Sequence, residues 1–440
     1  MTREGFLQAL RDSNVLTDTQ FVKAIQTLGT RGSTPRRAGE YLVKEGFITR
    51  FQSERLLTGR IDSFFIGSYL ILDYIGKSAT GRVYKARHTT MNRHVAIKVI
   101  STGLTQSETI RLLVREEART AAALAHPNIV TLLDANQAGE RMYFVREYVD
   151  GPTLAQMVKE NGPLPVNVAC EYIRQAALGL QHAHERGTLH GKLAPTAILV
   201  APPAKPGDAP LVKVSGFGLG TFTSNANDFD FDSTAPELFS APPCADPRSD
   251  LYSLGCVLYT LLAGKPPFTT TGEENAREQH QHAVATNLEY LRPDLPPGLN
   301  ELIGALLAKH PAQRPTSAGE VACRIAAYAE ADAGMVSFAT TAPISASASG
   351  SMTNLARLTE AVQEPLLPKP TDESLASWGS IVVPHDTSDG TAVNDATPIE
   401  LRKRRTKSGG VNPLALTMVV AGVMLAVLVA LLFVMRTFAN

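Results

Sequence analysis

A change of hydrophobic period at Thr153 constrains the fold of this chain more than any other feature. Before it, the runs Y-L-I-L-D-Y-I, R-V-Y-K-A-R and H-V-A-I-K-V-I are rich in β-branched and aromatic residues and are parted by turn residues, the pattern of an antiparallel meander. After it, A-C-E-Y-I-R-Q-A-A-L-G-L-Q-H-A-H and L-Y-S-L-G-C-V-L-Y-T-L-L repeat their apolar positions at helical spacing. A strand-rich small lobe followed by a helical large lobe is expected, an α+β unit over 66–330.

The flanks differ from this middle. Residues 1–62 read as a helical module with a weak internal echo, V-L-T-D-T-Q-F against F-I-T-R-F-Q-S. Thr17 with Gln20 and Thr49 with Gln52 have capping-box spacing, so each pair starts a helix. Ten basic against seven acidic residues up to Asp62 leave little footprint for nucleic acid, which favours an interaction or packing module over a DNA-binding helix-turn-helix. The whole chain balances 42 Lys plus Arg against 42 Asp plus Glu, so no nucleic-acid partner is expected. Its 4 cysteines have no C-x-x-C spacing and cannot staple 440 residues, which points to a reducing compartment.

The N-terminus carries no apolar run of the secretory kind. Residues 331–412 are rich in Ala, Ser, Thr and Pro without periodicity, a disordered linker that ends in the basic juxtamembrane run L-R-K-R-R-T-K. Then Pro413 to Met435 contains no charge. At 1.5 Å per residue, Leu414 to Met435 makes about 33 Å of helix, long enough to cross a bilayer. The cations before it predict a single pass through the cytoplasmic membrane with the N-terminal bulk in the cytoplasm.

The middle region carries chemistry in a fixed order. I-G-K-S-A-T-G-R-V-Y-K-A is a glycine hairpin between two strands, and Lys98 follows on the next strand in V-A-I-K. Glu117 precedes H-P-N at His126, and Y-F-V-R-E-Y-V-D-G-P-T-L follows. Next come H-G-K-L-A-P-T-A at His190, V-K-V-S-G-F-G-L, T-A-P-E-L, S-D-L-Y-S-L-G, G-K-P-P-F and H-P-A-Q-R-P-T. This series resembles bacterial membrane-attached Ser/Thr protein kinases of the eukaryotic type, and residues 1–62 resemble, weakly, an N-terminal helical extension of some of them.

The resemblance implies a bilobal kinase fold and a nucleotide cleft lined by Gly76, Ser78, Gly81, Val83, Ala96, Lys98, Glu117, Glu147, Val149 and Leu199. It also implies a structural frame: His190, Phe217 and Asp250 for the internal spine and its anchor, Glu237 with Arg314 for a large-lobe ion pair.

The departures bear on function. Where the family has H-R-D-L-K-P-x-N, Lys192 stands at the position of the catalytic aspartate, and an ammonium cannot accept the substrate's proton. Ala194 replaces the lysine that assists the transferred phosphate, Ala197 replaces one magnesium-binding residue, and Gly216 replaces the other in G-F-G. Gly191 replaces the arginine that would receive a phosphorylated Thr223 or Ser224. General acid–base help alone is typically worth about 10²–10⁴-fold. By the same resemblance Arg146 stands at the position that lines the back of the adenine pocket; a buried guanidinium there needs a carboxylate, with Glu117 the candidate.

No intact catalytic set and no metal site are therefore expected. The chain reads as a pseudokinase that scaffolds or regulates signalling, with ATP bound, if at all, without magnesium. The alternative is a residually active Ser/Thr kinase. Expected partners are a protein on the kinase-like domain or the N-terminal module, and the membrane through the C-terminal helix.

Overall fold

Four threonines start four helices at the N-terminal end of the computed structural model. Helices α1 (Arg3–Asp12), α2 (Asp18–Leu28), α3 (Pro35–Lys44) and α4 (Arg50–Leu57) are each capped by the hydroxyl of the residue before them, Thr2, Thr17, Thr34 and Thr49. The boxes Thr17/Gln20 and Thr49/Gln52 both close, each Gln Oε1 accepting the backbone N–H of its threonine, at 3.0 and 2.9 Å. Such a cap is worth about 1 kcal/mol.

The structure describes residues 1–29, 31–61, 64–78, 81–101, 108–139, 141–203, 205, 208–217, 231–240 and 244–329, apart from the side chains of 108–110, Leu113 and Glu117. The expected linker and the apolar segment Leu414 to Met435 lie outside these residues. Among the described residues no helix is long and apolar enough to cross a membrane.

The helical module and the sheet share one core. Phe6, Leu10, Leu28, Leu42 and Leu56 pack with Phe64 and with Leu70 of the sheet. Fully burying such a side chain is worth roughly 1.5–3 kcal/mol, so the junction is held by core packing. The capping residues of α4 serve it twice: Gln52 Nε2 donates to Ile71 O at 2.8 Å and Thr49 Oγ1 donates to Leu72 O. Phe51 meets the ring of Tyr84 and carries the Arg55 guanidinium on its face. Helix α4 is thereby committed to the sheet.

Six antiparallel strands follow: β1 (Phe65–Ile66), β2 (Tyr69–Ser78), β3 (Gly81–His88), β4 (His94–Ile100), β5 (Leu132–Ala138) and β6 (Arg141–Glu147), in the order β1-β2-β3-β4-β6-β5. Alternation divides them into two faces. Val95, Ile97, Val99, Tyr84, Tyr143 and Val145 pack on the face that meets Phe51. The opposite face takes helix α5 (Glu108–Ala122), whose Val114 and Ala118 pack on Ile100, Met142 and Phe144.

The large lobe is helical as expected, built on α6 (Leu154–Asn161), α7 (Val166–His184), α8 (Pro247–Ala263), α9 (Glu273–His282), α10 (Leu299–Leu306) and α11 (Ala318–Ala329). Helix α8 is buried nearly throughout; Asp246 caps its start and Gly264, in the left-handed region at φ +74°, ends it. A short ribbon, β7 (Ile198–Ala201) and β8 (Leu211–Val214), lies at the lobe boundary, where Val130 N donates to Val214 O and Val214 N donates to Asn128 O.

Candidate functional site

The roof of the cleft is the β2–β3 hairpin. Its last pair is Ser78 with Gly81, and Ser78 Oγ donates to Gly81 O at 3.0 Å, tying the strands together beside the tip. Ala79 and Thr80 lie outside the described residues. Gly76 pairs with Val83 two steps back. Gly81 has a structural reason to be glycine, because a Cβ there would run into Val99 O.

Lys98 stands between Val83 on β3 and Phe144 on β6, while Ala96 pairs with Arg146. Residues two apart on a strand share a face, so Lys98, Ala96 and Arg146 lie on one face of the sheet. Burial brings the Lys98 ammonium down to about 7, and the charges of Arg146 and then Lys192 push it the same way. Burial alone brings the Arg146 guanidinium to about 10 and the Lys192 ammonium to about 8. Among the described residues no carboxylate pairs with Lys98 or Arg146. The side chain of Glu117, expected beside both, lies outside the described set.

At the hinge, the Glu147 carboxylate is already engaged. Its Oε1 accepts Lys213 Nζ and the N–H of Thr131, both at 2.8 Å, which ties the hinge to β8. Sequence reasoning missed Lys213, since a lone lysine on a short strand carries no signal. Val149 is buried, and Leu199 on β7 pairs with Lys213 and bridges Thr153.

Below the cleft, the loop His190 to Ala197 is held from α8. Asp250 accepts the N–H groups of His190 and Gly191, and its Oδ2 also meets His184 Nε2 at 2.8 Å. His184 was not anticipated; its place on the last turn of α7 is the one local clue. His190 packs edge-on against Phe217 at 4.9 Å between ring centroids and contacts Ser215 O. Burial lowers its pKa, so it is neutral at pH 7. Arg314, fully buried, grips both carboxylate oxygens of Glu237 at 2.7 and 2.9 Å.

A family model described as the protein kinase domain matches residues 69–325. The chain belongs to the protein kinase family. A probable serine/threonine-protein kinase of Clostridium acetobutylicum is 33% identical over 260 residues, covering 58% of this chain and 38% of that protein. Serine/threonine-protein kinase PknB of Mycobacterium leprae is 32% identical over 266 residues, covering 58% and 42%. The chain thus spans less than half the length of either curated relative. Among solved structures, a double mutant of the Mycobacterium tuberculosis PknI kinase domain aligns at TM-score 0.50 and 27% identity, over 61% of this chain and 98% of that one.

In this kinase domain the altered positions sit on an intact frame. Lys192 follows the anchored Gly191 and its N–H donates to His190 Nδ1 at 3.3 Å. Ala194 is buried, and Ala197 O accepts both the N–H and the hydroxyl of Ser215, at 2.8 and 2.9 Å. Gly216 has φ +107°, a conformation that L side chains rarely adopt. Ser215 already spends its hydroxyl proton on Ala197. Asp232 is held by Thr270, and Asp228 and Asp230 lie outside the described residues. No group of three or more His, Cys, Asp or Glu among the described residues could hold a metal ion.

Proposed function

We infer that this kinase-family chain is a pseudokinase, a signalling scaffold or regulator held at the cytoplasmic membrane by its C-terminal apolar segment. One observation carries the reading: Lys192, Ala194 and Ala197, on a loop that Asp250 still holds in place, and Gly216, after β8, replace all the side chains that would move a proton or hold magnesium. Positioning and electrostatic stabilisation make up most of phosphoryl-transfer catalysis, and both depend on those side chains. The cleft retains Lys98 and the glycine hairpin, which meet phosphates as a point charge and backbone donors, so ATP binds without needing magnesium. A protein partner docks on the kinase-like domain or the N-terminal module.

The competing reading is a residually active Ser/Thr kinase, favoured by the retained Lys98 and the intact Glu237–Arg314 pair. Radiolabelled ATP decides between them. The purified chain is expected to transfer no phosphate to itself or to generic protein substrates, with magnesium or manganese present. Incorporation that disappears in Lys98→Ala would promote the active-kinase reading.

A further inference from the structure

A cavity of about 300 Å³ opens on the large lobe between the end of α8, the loop after α9 and helix α10. Phe268, Leu288, Ile303 and Leu307 give it apolar walls, and Gly304 and Lys309 border it. That volume is at the small end of ligand sites, room for about one bulky side chain. The wall is built in advance: Tyr259 Oη donates to Thr286 O at 3.1 Å, and Leu288 is buried in the core of the lobe. Beside this fixed wall, Val284 is 92% and Tyr290 83% exposed, an apolar rim of the kind that marks a docking surface. A Cβ on Gly304 would meet nothing within 4 Å, so the cavity reaches the backbone of α10. Two polar groups complete the site. Lys309 Nζ donates to Gln279 O at 3.3 Å and lies 4.3 Å from the centre of the Phe268 ring, with no carboxylate of the described residues at ion-pair distance. The Asn300 side chain makes no hydrogen bond within the described chain. Such a site suits an aromatic ring that carries an N–H and comes with a carboxylate nearby.

We propose that this cavity is the docking site of the chain's own segment 371–383, T-D-E-S-L-A-S-W-G-S-I-V-V, with the ring of Trp378 in the cavity and the acidic pair Asp372 and Glu373 facing Lys309. Charge selects this segment: from Asp372 to Glu400 the chain carries carboxylates and no Lys or Arg, which complements an ammonium that lacks a counter-charge. Position selects it too. Tyr328, at the end of α11, donates its hydroxyl to Pro297 O at 3.2 Å, so the chain leaves the domain beside the start of α10. The 8 residues of α10 cover about 12 Å, and later residues of that helix wall the cavity. About 50 residues separate Ala329 from Trp378, and a coil of that length spans about 35–42 Å. The segment therefore reaches the site at an effective concentration of about a millimolar, which fills a small cavity that a free peptide would occupy only weakly. The proposal concerns the large lobe and stands whether or not the cleft transfers phosphate.

Trp378 is the only tryptophan of the chain, so the tryptophan emission of the full-length protein reports this docking without a label. In lipid nanodiscs the chain is expected to emit at shorter wavelength than in guanidinium, with acrylamide quenching at least three-fold weaker than for the free 371–383 peptide. Gly304→Leu fills the cavity from a position where an added Cβ meets no neighbour. It should keep the melting temperature while raising quenching to the level of the peptide. Asp372→Asn combined with Glu373→Gln changes no residue of the kinase domain, and should raise quenching at least two-fold. None of these readings should change over a hundred-fold range of protein concentration. Wild-type quenching at the level of the peptide, or an acidic-pair variant that quenches like wild type, would overturn the proposal. Emission that Gly304→Leu leaves unshifted overturns it as well, because Trp378 is then covered by something other than this cavity. A shift that depends on concentration means that the cavity takes the segment of a second copy, which again sinks docking within one chain.

Discussion

Asp250 accepts the backbone N–H of His190 through Oδ2 at 2.8 Å, and the same carboxylate takes the next N–H, that of Gly191, through Oδ1. Asp250 is itself buried, so these charge-assisted bonds form away from water. The loop from His190 is thus anchored from helix α8. Asp250→Ala leaves two amide donors and His184 without their acceptor, and is expected to cost about 3 kcal/mol. Chemical denaturation of the full-length chain measures this; a midpoint unchanged from wild type would refute it.

Lys98 gives the apo protein an unusual pH dependence. Its folded-state pKa is about 7 against a usual 10.5, so between those values the unfolded chain binds more protons than the folded one. Stability therefore rises with pH through this window, and the cost is fully present below it. Lys192 and Lys309, each at about 8, act in the same direction. Lys98→Met should melt higher than wild type at pH 6.5. Water reaching the open side of the cleft trims the effect, to about 1 kcal/mol or roughly 2–4 °C. The gap should close towards pH 10. A variant that melts lower at pH 6.5 would show that Lys98 has a counter-charge after all.

Gln52 and Gln20 occupy the same position in two copies of one capping box, yet only Gln52 is buried and bonded to the sheet. Gln52→Ala should cost about 1–3 kcal/mol, Gln20→Ala under about 1. Hydrogen exchange supplies the discriminating readout: protection of the amides around Ile71 and Leu72 should fall in Gln52→Ala and stay unchanged in Gln20→Ala. Equal effects would mean that the junction does not depend on this side chain.

The membrane reading is tested by topology. Protease added to intact cells stripped of any outer membrane should leave the kinase domain untouched, and a chain ended after Gly410 should become soluble. Digestion of the kinase domain in intact cells would reverse the orientation inferred from the basic run Arg402 to Lys407.

Much of this protein is legible without coordinates, because the relevant interactions are local or ordered along the chain. Thr17 with Gln20 and Thr49 with Gln52 cap their helices through hydrogen bonds spanning three residues, a distance that the sequence displays directly. The strand-to-helix switch at Thr153 and the order of motifs from Ile75 to Thr316 likewise suffice for the kinase fold, including the partners Glu237 and Arg314. Tertiary structure decided what depends on neighbours remote in sequence. The glycine at position 81 answers to the Val99 carbonyl as well as to any ligand. Glu147 is claimed by Lys213, and Gln52, while capping its own helix, also holds Ile71. Above all, Lys98 reads from sequence as an ordinary nucleotide-binding cation. Its protonation is set by how much water the folded lobes exclude and by the charges of Arg146 and Lys192, and both exist only once the chain has folded.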